Sequence, residues 1–284
     1  MQVITTCAEM TALCREAPRP LGLVPTMGAL HEGHLSLTRQ ARTDNATMAA
    51  SIFVNPTQFG ANEDFTTYPR TFERDLELLA AQGTDLVFAP LPDEVYPEGF
   101  DTWIEPGAVA EGMEGAARPV HFRGVATVVA KLFTITRPDR AYFGQKDGQQ
   151  VAVIRKMNAD LNLGVEVVTM PTIREPDGLA LSSRNAYLTP EQRAAAPVVY
   201  RALQAAESLW QSGERDANRL QAAALSILQS EPQVSAVDYV GVVDADTMAA
   251  LESLADRRPA MIATAARLGS VRLIDNVVLE RVDT

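Results

Sequence analysis

LVPTMGALHEGHLSL, residues 23–37, is the stretch on which the fold turns. Leu23 and Val24 end an apolar run of strand character, Pro25, Thr26, Met27 and Gly28 make a turn, and His31, Glu32, Gly33 and His34 open a helix. A strand that passes through a glycine turn into a helix N-terminus makes an anion site. The first N–H groups of a helix lack intrahelical partners, and the helix dipole is positive there. On this reading the N–H groups of the turn face a phosphate, and Gly28 and Gly33 allow close approach to the backbone. His31 and His34 stand at i and i+3 on one side of the turn, where both can donate to charge developing on a phosphate. A zinc pair and a pair of satisfied surface histidines are the competing readings. Zinc usually takes three protein ligands, only His121 remains among the histidines, and H-E-G-H is one residue shorter than H-E-x-x-H.

Working outward, short apolar runs at 21–24, 48–54, 85–89, 140–143 and 165–169 alternate with helical patterns at 35–42, 72–82, 125–136 and 151–161. That alternation predicts βαβ units on a mainly parallel sheet. After Arg174 the texture changes to the polar, turn-rich EPDGLALSSRN, and Thr189-Pro190-Glu191 then reads as an N-cap with proline at the first helical position. The domain boundary is placed at 175/176. An Ala/Leu/Gln-rich helical region follows, then β-branched runs at 237–243 and 261–279, the second broken by Gly269. These predict a smaller C-terminal α+β domain.

At 284 residues two domains are favoured over one, and 46% hydrophobic with 21% charged residues is ordinary globular usage. The net charge of −11 opposes binding to nucleic acid or to an anionic membrane, so an anionic ligand must be met by a local cluster of donors. Cys7 and Cys14, in an expected helix, read as small buried hydrophobes. The N-terminal MQVITTCAEM lacks the features of a leader, and no window approaches the 18 apolar residues of a spanning helix. A cytoplasmic location is expected.

Three further segments carry chemistry. In SIFVNPTQFG (51–60) a strand ends at Asn55-Pro56, where the carboxyl edge of a sheet opens into a crevice, and Gln58 offers a donor and an acceptor there. In FGQKDGQQ (143–150) the residues Gly144, Gln145, Lys146 and Asp147 lie at another strand-to-helix crossing. Lys146 can neutralise phosphate charge, with Asp147 accepting from ribose hydroxyls or orienting the lysine; elsewhere such a dipeptide is a solvated ion pair. LSSRN (181–185) puts two hydroxyls and a guanidinium within three residues, a set suited to phosphate oxygens or, more plainly, to a polar linker. YPRT (68–71) reads from the residues alone as loop. Arg118, His121 and Arg123 either help to hold a carboxylate or are structural, and Glu63-Asp64 and Asp93-Glu94 read as solvated loop charges.

Together, PTMGALHEGH, SIFVNPTQFG, FGQKDGQQ and LSSRN, in this order and spacing, resemble the pantoate–β-alanine ligases of the HIGH-type nucleotidylyltransferase superfamily. The resemblance implies an α/β fold, with a Rossmann-like domain over residues 1–175 that binds ATP and pantoate and a C-terminal α+β lid over 176–284. It implies ATP-dependent condensation of (R)-pantoate with β-alanine through pantoyl adenylate, releasing AMP and pyrophosphate. His34 is implied as the catalytic residue, assisted by His31 and Lys146. ATP contacts are implied for Met27, Gly28, Ala29, Leu30, His31, Glu32, Gly33 and His34, for Gly144, Gln145, Lys146 and Asp147, and for Ile173, Leu181, Ser182, Ser183 and Arg184. Gln58 and Gln150 are implied for pantoate and Gln58 also for β-alanine. Mg²⁺ is expected on the phosphates with no protein ligand, and the assembly as a homodimer. Gly148 departs from the pattern, since many members carry an aromatic residue there, and this bears on loop packing. A transferase that keeps AMP in its product shares the H-x-G-H turn but leaves the NPTQF and KDGQQ amides unexplained. A tRNA synthetase-like enzyme is disfavoured by charge, and a silent nucleotide binder by the complete set of histidines and lysine.

Overall fold

The computed structural model describes residues 1–61, 63–255 and 259–279, and the chain divides into two compact units. The first comprises Met1–Pro106, Arg118–Gly144 and Val153–Pro171; the second comprises Gly107–Ala117, Gln145–Ala152 and the chain from Thr172 onward.

In chain order the elements up to residue 170 are β1 (Gln2–Ile4), α1 (Cys7–Glu16), β2 (Leu21–Thr26), α2 (Glu32–Asp44), β3 (Thr47–Ile52), α3 (Phe72–Ala81), β4 (Leu86–Phe88), α4 (His121–Thr136), β5 (Arg140–Gly144), α5 (Gly148–Asp160) and β6 (Glu166–Met170). The six strands form one parallel sheet in the order β1-β4-β3-β2-β5-β6. β2 is central, in register with β3 from Leu21↔Thr47 to Thr26↔Ile52 and with β5 at Gly22↔Arg140. A parallel strand inside such a sheet is buried on both faces, so it needs a nearly continuous apolar run. Leu21, Leu23, Val24, Met48, Ala49, Ala50, Ala141 and Tyr142 meet that need and are all inaccessible to solvent. Strand order reverses between β2 and β5, and ligands of open α/β sheets bind at the carboxyl edge of such a reversal. β2 takes in Pro25 and Thr26, which the sequence reading places in the turn, and leaves that edge at Met27-Gly28.

Several helices begin earlier than hydrophobic periodicity predicts. α2 starts at Glu32 because His31 caps it, and α5 starts at Gly148. α4 starts at His121, directly after Val120 turns the chain through a left-handed conformation at φ 67°. A Cβ on Gly124 would lie 2.4 Å from the Thr57 carbonyl oxygen, so the first turn of α4 packs backbone to backbone against the NPTQ segment. α1 forms as expected, but only Cys14 is fully buried. Cys7 is half-exposed, its thiol donating to the Glu94 carbonyl at 3.6 Å, because it opens the helix at the surface. Burial pushes both thiols up to about 11, far from a reactive thiolate.

The second unit contains α6 (Pro190–Ala195), α7 (Val198–Gln211), α8 (Ala217–Gln229) and an antiparallel sheet of β7 (Val234–Asp244), β8 (Ala260–Leu268) and β9 (Val271–Leu279) with β8 in the middle. Thr189 and Gln192 form a capping box at α6 with Pro190 at its start, as the sequence predicts. Gly269, at φ 60°, makes the tight β8–β9 connection that pairs Leu268 with Val271. Leu203, Leu220, Leu228, Ile262 and Leu268 centre the core of this unit. The observed class is therefore a six-stranded parallel α/β sheet plus a small antiparallel α+β unit, as expected. Among the described residues no helix is long and apolar enough to cross a membrane.

Candidate active site

The signature turn is built by consecutive left-handed residues, Gly28 at φ 82° and Ala29 at φ 50°, which swing the chain from β2 into α2. Its N–H groups are directed inward. Gly28 donates to Thr26 Oγ1 at 3.2 Å, Ala29 and Leu30 to the two carboxylate oxygens of Asp75, each at 2.9 Å, His31 to His34 Nδ1 at 3.3 Å and Gly33 to His31 Nδ1 at 3.1 Å. His34 and Leu35 donate to the His31 carbonyl. Asp75 and the two imidazoles thus hold the N–H groups of Ala29, Leu30, His31 and Gly33, four of those expected to face a phosphate. Gly28 is needed for Asp75 as well, because a Cβ there would lie 2.9 Å from its Oδ2.

The two histidines form a capping box on α2, with ring centroids 4.1 Å apart and planes tilted by 39°. In both rings Nδ1 accepts from a backbone N–H, and a neutral imidazole whose Nδ1 accepts carries its proton on Nε2. The backbone thus selects the tautomer of both side chains and makes Nε2 the donor. The Leu30 side chain is core, and Glu32 pairs with Arg39.

Gln58 is buried at the end of a one-turn 3₁₀ segment, Pro56–Gln58. Its Oε1 accepts from Asn55 Nδ2 at 3.2 Å and its Nε2 donates to Met27 Sδ at 3.1 Å, which ties the NPTQ segment to the signature turn. Asn55 is itself oriented by the Tyr96 hydroxyl, 2.8 Å from its Oδ1. The Gln58 carbonyl accepts from His121 Nδ1 at 2.9 Å, and His121 Nε2 accepts from Arg118 at 3.1 Å. Arg118 also grips Glu63 at 2.6 and 2.8 Å. Glu63 is therefore no solvated loop charge, and Glu94 accepts the Cys7 N–H at 2.7 Å. Arg123 stacks on Trp103 at 4.5 Å. Across the 60–70 loop, of which Asn62 lies outside the described residues, Phe59 packs on Phe65 and Tyr68 and Arg70 donates to the Phe65, Thr66 and Tyr68 carbonyls.

In the first unit, β5 ends at Gly144, where a Cβ would meet nothing within 4 Å. In the second unit, Gln145–Asp147 forms a 3₁₀ turn held by Asn276, whose Nδ2 donates to the carbonyls of Gln145 and Lys146. Lys146 Nζ lies 3.7 Å from Asp147 Oδ1. Gln149 is structural, binding the Glu114 N–H and the carbonyls of Val109 and Gly112, while Gln150 is half-buried in the same helical turn. Met261 Sδ lies 2.6 Å from where a Gly148 Cβ would stand, so Met261 fills the space of a side chain at 148. Leu181 donates its N–H to the Ile173 carbonyl at 3.0 Å, which brings that pair together. Ser182 caps the 3₁₀ turn Ser183–Tyr187 by accepting from Arg184 N–H.

Asp75 and Asn276 escaped the sequence reading. Asp75 had a detectable signal, since it shares the buried face of α3 with Leu79 one turn later.

A family model described as pantoate-beta-alanine ligase matches residues 2–278. The chain belongs to the pantoate–β-alanine ligase family. As a member, it is an enzyme, a ligase of the class that joins pantoate to β-alanine. It is 56% identical over 280 residues to the pantothenate synthetase of Roseiflexus sp. (strain RS-1), covering 99% of this chain and 100% of that one. The crystal structure of pantothenate synthetase from Thermus thermophilus is similar at a TM-score of 0.91 with 47% identity, covering 98% of this chain and 99% of that one. The pantoate–β-alanine ligase from Francisella tularensis, solved in complex with beta-gamma ATP and β-alanine, is similar at 0.79 with 33% identity, covering 98% of this ligase and 97% of that chain.

Proposed function

We propose that the enzyme makes pantothenate from (R)-pantoate and β-alanine in two steps driven by ATP. In the first, a pantoate carboxylate oxygen attacks the α-phosphorus, a P–O bond forms, and pyrophosphate leaves with the electrons of the broken P–O bond. In the second, the β-alanine amine attacks the acyl carbon of pantoyl adenylate, an amide C–N bond forms, AMP leaves, and the amine loses a proton. A carboxylate is a poor acylating agent, and its mixed anhydride with AMP supplies the leaving group that amide formation needs.

The observation that carries this reading is the capping box of His31 and His34, which sets Nε2–H as the donor of both rings. Donors fixed before the reaction stabilise charge as it develops without the cost of reorienting. His34 is assigned the principal stabilising role, with His31 and Lys146 assisting. Gln58 and Gln150 orient pantoate, and Gln58 also serves β-alanine. The side-chain amide of Gln58 is held by Asn55 and Met27, and its backbone carbonyl by His121. The nucleotide contacts are assigned to the 27–34 turn, to Gly144, Gln145, Lys146 and Asp147, and to Ile173, Leu181, Ser182, Ser183 and Arg184. For the 27–34 turn those contacts fall to side chains more than to N–H groups.

Magnesium enters with the nucleotide as part of the substrate. It would be held on the phosphates mostly by waters and substrate oxygens, and no protein ligand is assigned. The reading assigns ATP and pantoate binding to residues 1–175 and the smaller domain to 176–284, whereas the compact units give Gly107–Ala117, Gln145–Ala152 and the chain from Thr172 to the second unit, and it takes the enzyme as a cytoplasmic homodimer. The deciding experiment is pantoate-dependent exchange of labelled pyrophosphate into ATP with Mg²⁺ present and β-alanine absent. Exchange is expected; folded, ATP-binding protein without exchange overturns the adenylate route.

A further inference from the structure

We propose that Asp75 is a positioning residue for adenylate formation, holding the turn that aims His31 and His34; this rests on the roles proposed above for those histidines. Asp75 lies on α3, with only 1% of its surface exposed. Its Oδ2 accepts the Ala29 N–H and its Oδ1 the Leu30 N–H, both at 2.9 Å, and the Thr71 hydroxyl adds a bond to Oδ1 at 3.0 Å.

Burying a carboxylate is costly unless every lone pair that matters is satisfied, and a carboxylate is used where two adjacent N–H groups must be gripped at once. Those two N–H groups belong to the left-handed Ala29 and to Leu30, the residue before the His31 cap. A left-handed alanine is unfavourable by itself and persists only where its surroundings hold it. The chain of bonds is short: Asp75 fixes Leu30, the His31 N–H then meets His34 Nδ1, and His31 Nδ1 meets the Gly33 N–H. Asp75 therefore sets the direction of the two Nε2–H donors from 45 residues further along the chain. It also occupies two N–H groups that an anion would otherwise use.

An asparagine at 75 offers one acceptor oxygen and turns an NH₂ toward the other N–H, so Asp75→Asn breaks one of the two bonds with almost no change of volume. Two half-reactions are measured separately on the purified full-length enzyme: pantoate-dependent pyrophosphate exchange, and amide formation from supplied pantoyl adenylate and β-alanine. The expected result is a loss of about 10²-fold in exchange, the size that a misplacement of about 1 Å can cause, with amide formation within about twofold of wild type. In the double variant with His34→Ala, the Asp75→Asn change adds less than about threefold, because both act through the same donor. Wild-type exchange, equal losses in both half-reactions, or multiplicative losses in the double variant each overturn the proposal. If His34→Ala alone leaves exchange intact, the underlying reading of the histidines fails instead. Thr71→Ala, which keeps both backbone bonds, serves if Asp75→Asn does not fold: a smaller loss confined to exchange supports the proposal, and no loss overturns it.

Discussion

Gln145 and Asn276 bind each other in both directions: Gln145 Nε2 donates to Asn276 Oδ1 at 2.9 Å, and Asn276 Nδ2 donates back to the Gln145 carbonyl at 2.8 Å. The same amide nitrogen holds the Lys146 carbonyl at 2.9 Å, so the backbone that carries the lysine is pinned by a residue of β9. Asn276→Ala leaves both carbonyls without this donor, at about 1 to 3 kcal/mol if they stay dry. Asn276→Asp is worse, since it turns a charged acceptor toward two acceptors. The KM for ATP should rise and Tm fall in the order wild type, Ala, Asp. An aspartate variant with wild-type KM would show that the pinning does not matter to the lysine.

The capping by His31 and the donating role proposed for it can be separated by substitution. Asparagine is a strong N-cap and can accept the Gly33 N–H, but it places nothing where Nε2 stood. His31→Asn should hold Tm near the wild-type value while lowering pyrophosphate exchange by about 10²-fold, whereas His31→Ala should also lose about 1 kcal/mol of stability. His34→Ala should cost exchange about 10² to 10³-fold. Full exchange in His31→Asn would reduce His31 to a cap.

Gly148→Ala should destabilise the second unit by about 1 to 3 kcal/mol, because the new methyl meets Met261 Sδ at 2.6 Å and Met261 is buried. In a Met261→Ala background the same change should cost at least about 1 kcal/mol less. Urea unfolding of the four proteins of the cycle measures this; simple additivity would mean that the methionine is not what excludes a side chain at 148.

The Glu63–Arg118 pair predicts a pH dependence. Burial works against ionisation of Glu63, but the hydrogen bonds and charge of Arg118 outweigh it and hold the carboxyl below its ordinary 4.5. A group whose folded-state pKa is depressed stabilises fully above its unfolded value, and that contribution fades as pH falls through the lowered one. Glu63→Gln should therefore cost about 1 to 2 kcal/mol at neutral pH, with the difference closing as the pH falls below 4.5 and through the lowered value. Thermal unfolding of both proteins from pH 7 to 3 tests it, and a gap that is unchanged at pH 3 would assign the effect to shape instead of charge.

What the chain reveals before it folds depends on distance along it. Central strands such as Leu21–Thr26 announce themselves because burial on both faces demands a continuous apolar run. β1 does not, since three residues with only Ile4 buried carry no periodicity. Helix starts are blurred where the cap is unusual: an imidazole at 31 and a left-handed valine at 120 lie outside the Ser, Thr, Asp and Asn vocabulary of N-caps. The chemical motifs are local and legible, whereas the residues that orient them are remote. Asp75 reaches Leu30 across 45 positions, His121 reaches Gln58 across 63 and Asn276 reaches Gln145 across 131. The acceptor of the Ala29 and Leu30 N–H groups could not be foreseen for this reason, because Asp75 lies on another helix.

The inward-facing turn from Gly28 to Leu35 bears on inhibitor chemistry. A carboxylate or phosphonate placed to exploit a helix N-terminus would compete with Asp75 and with two imidazole nitrogens for the same amides. Compounds that set an acceptor against the Nε2 edge of the tilted His31–His34 pair, with a flat heteroaromatic ring to match its faces, address the donors that this scaffold offers.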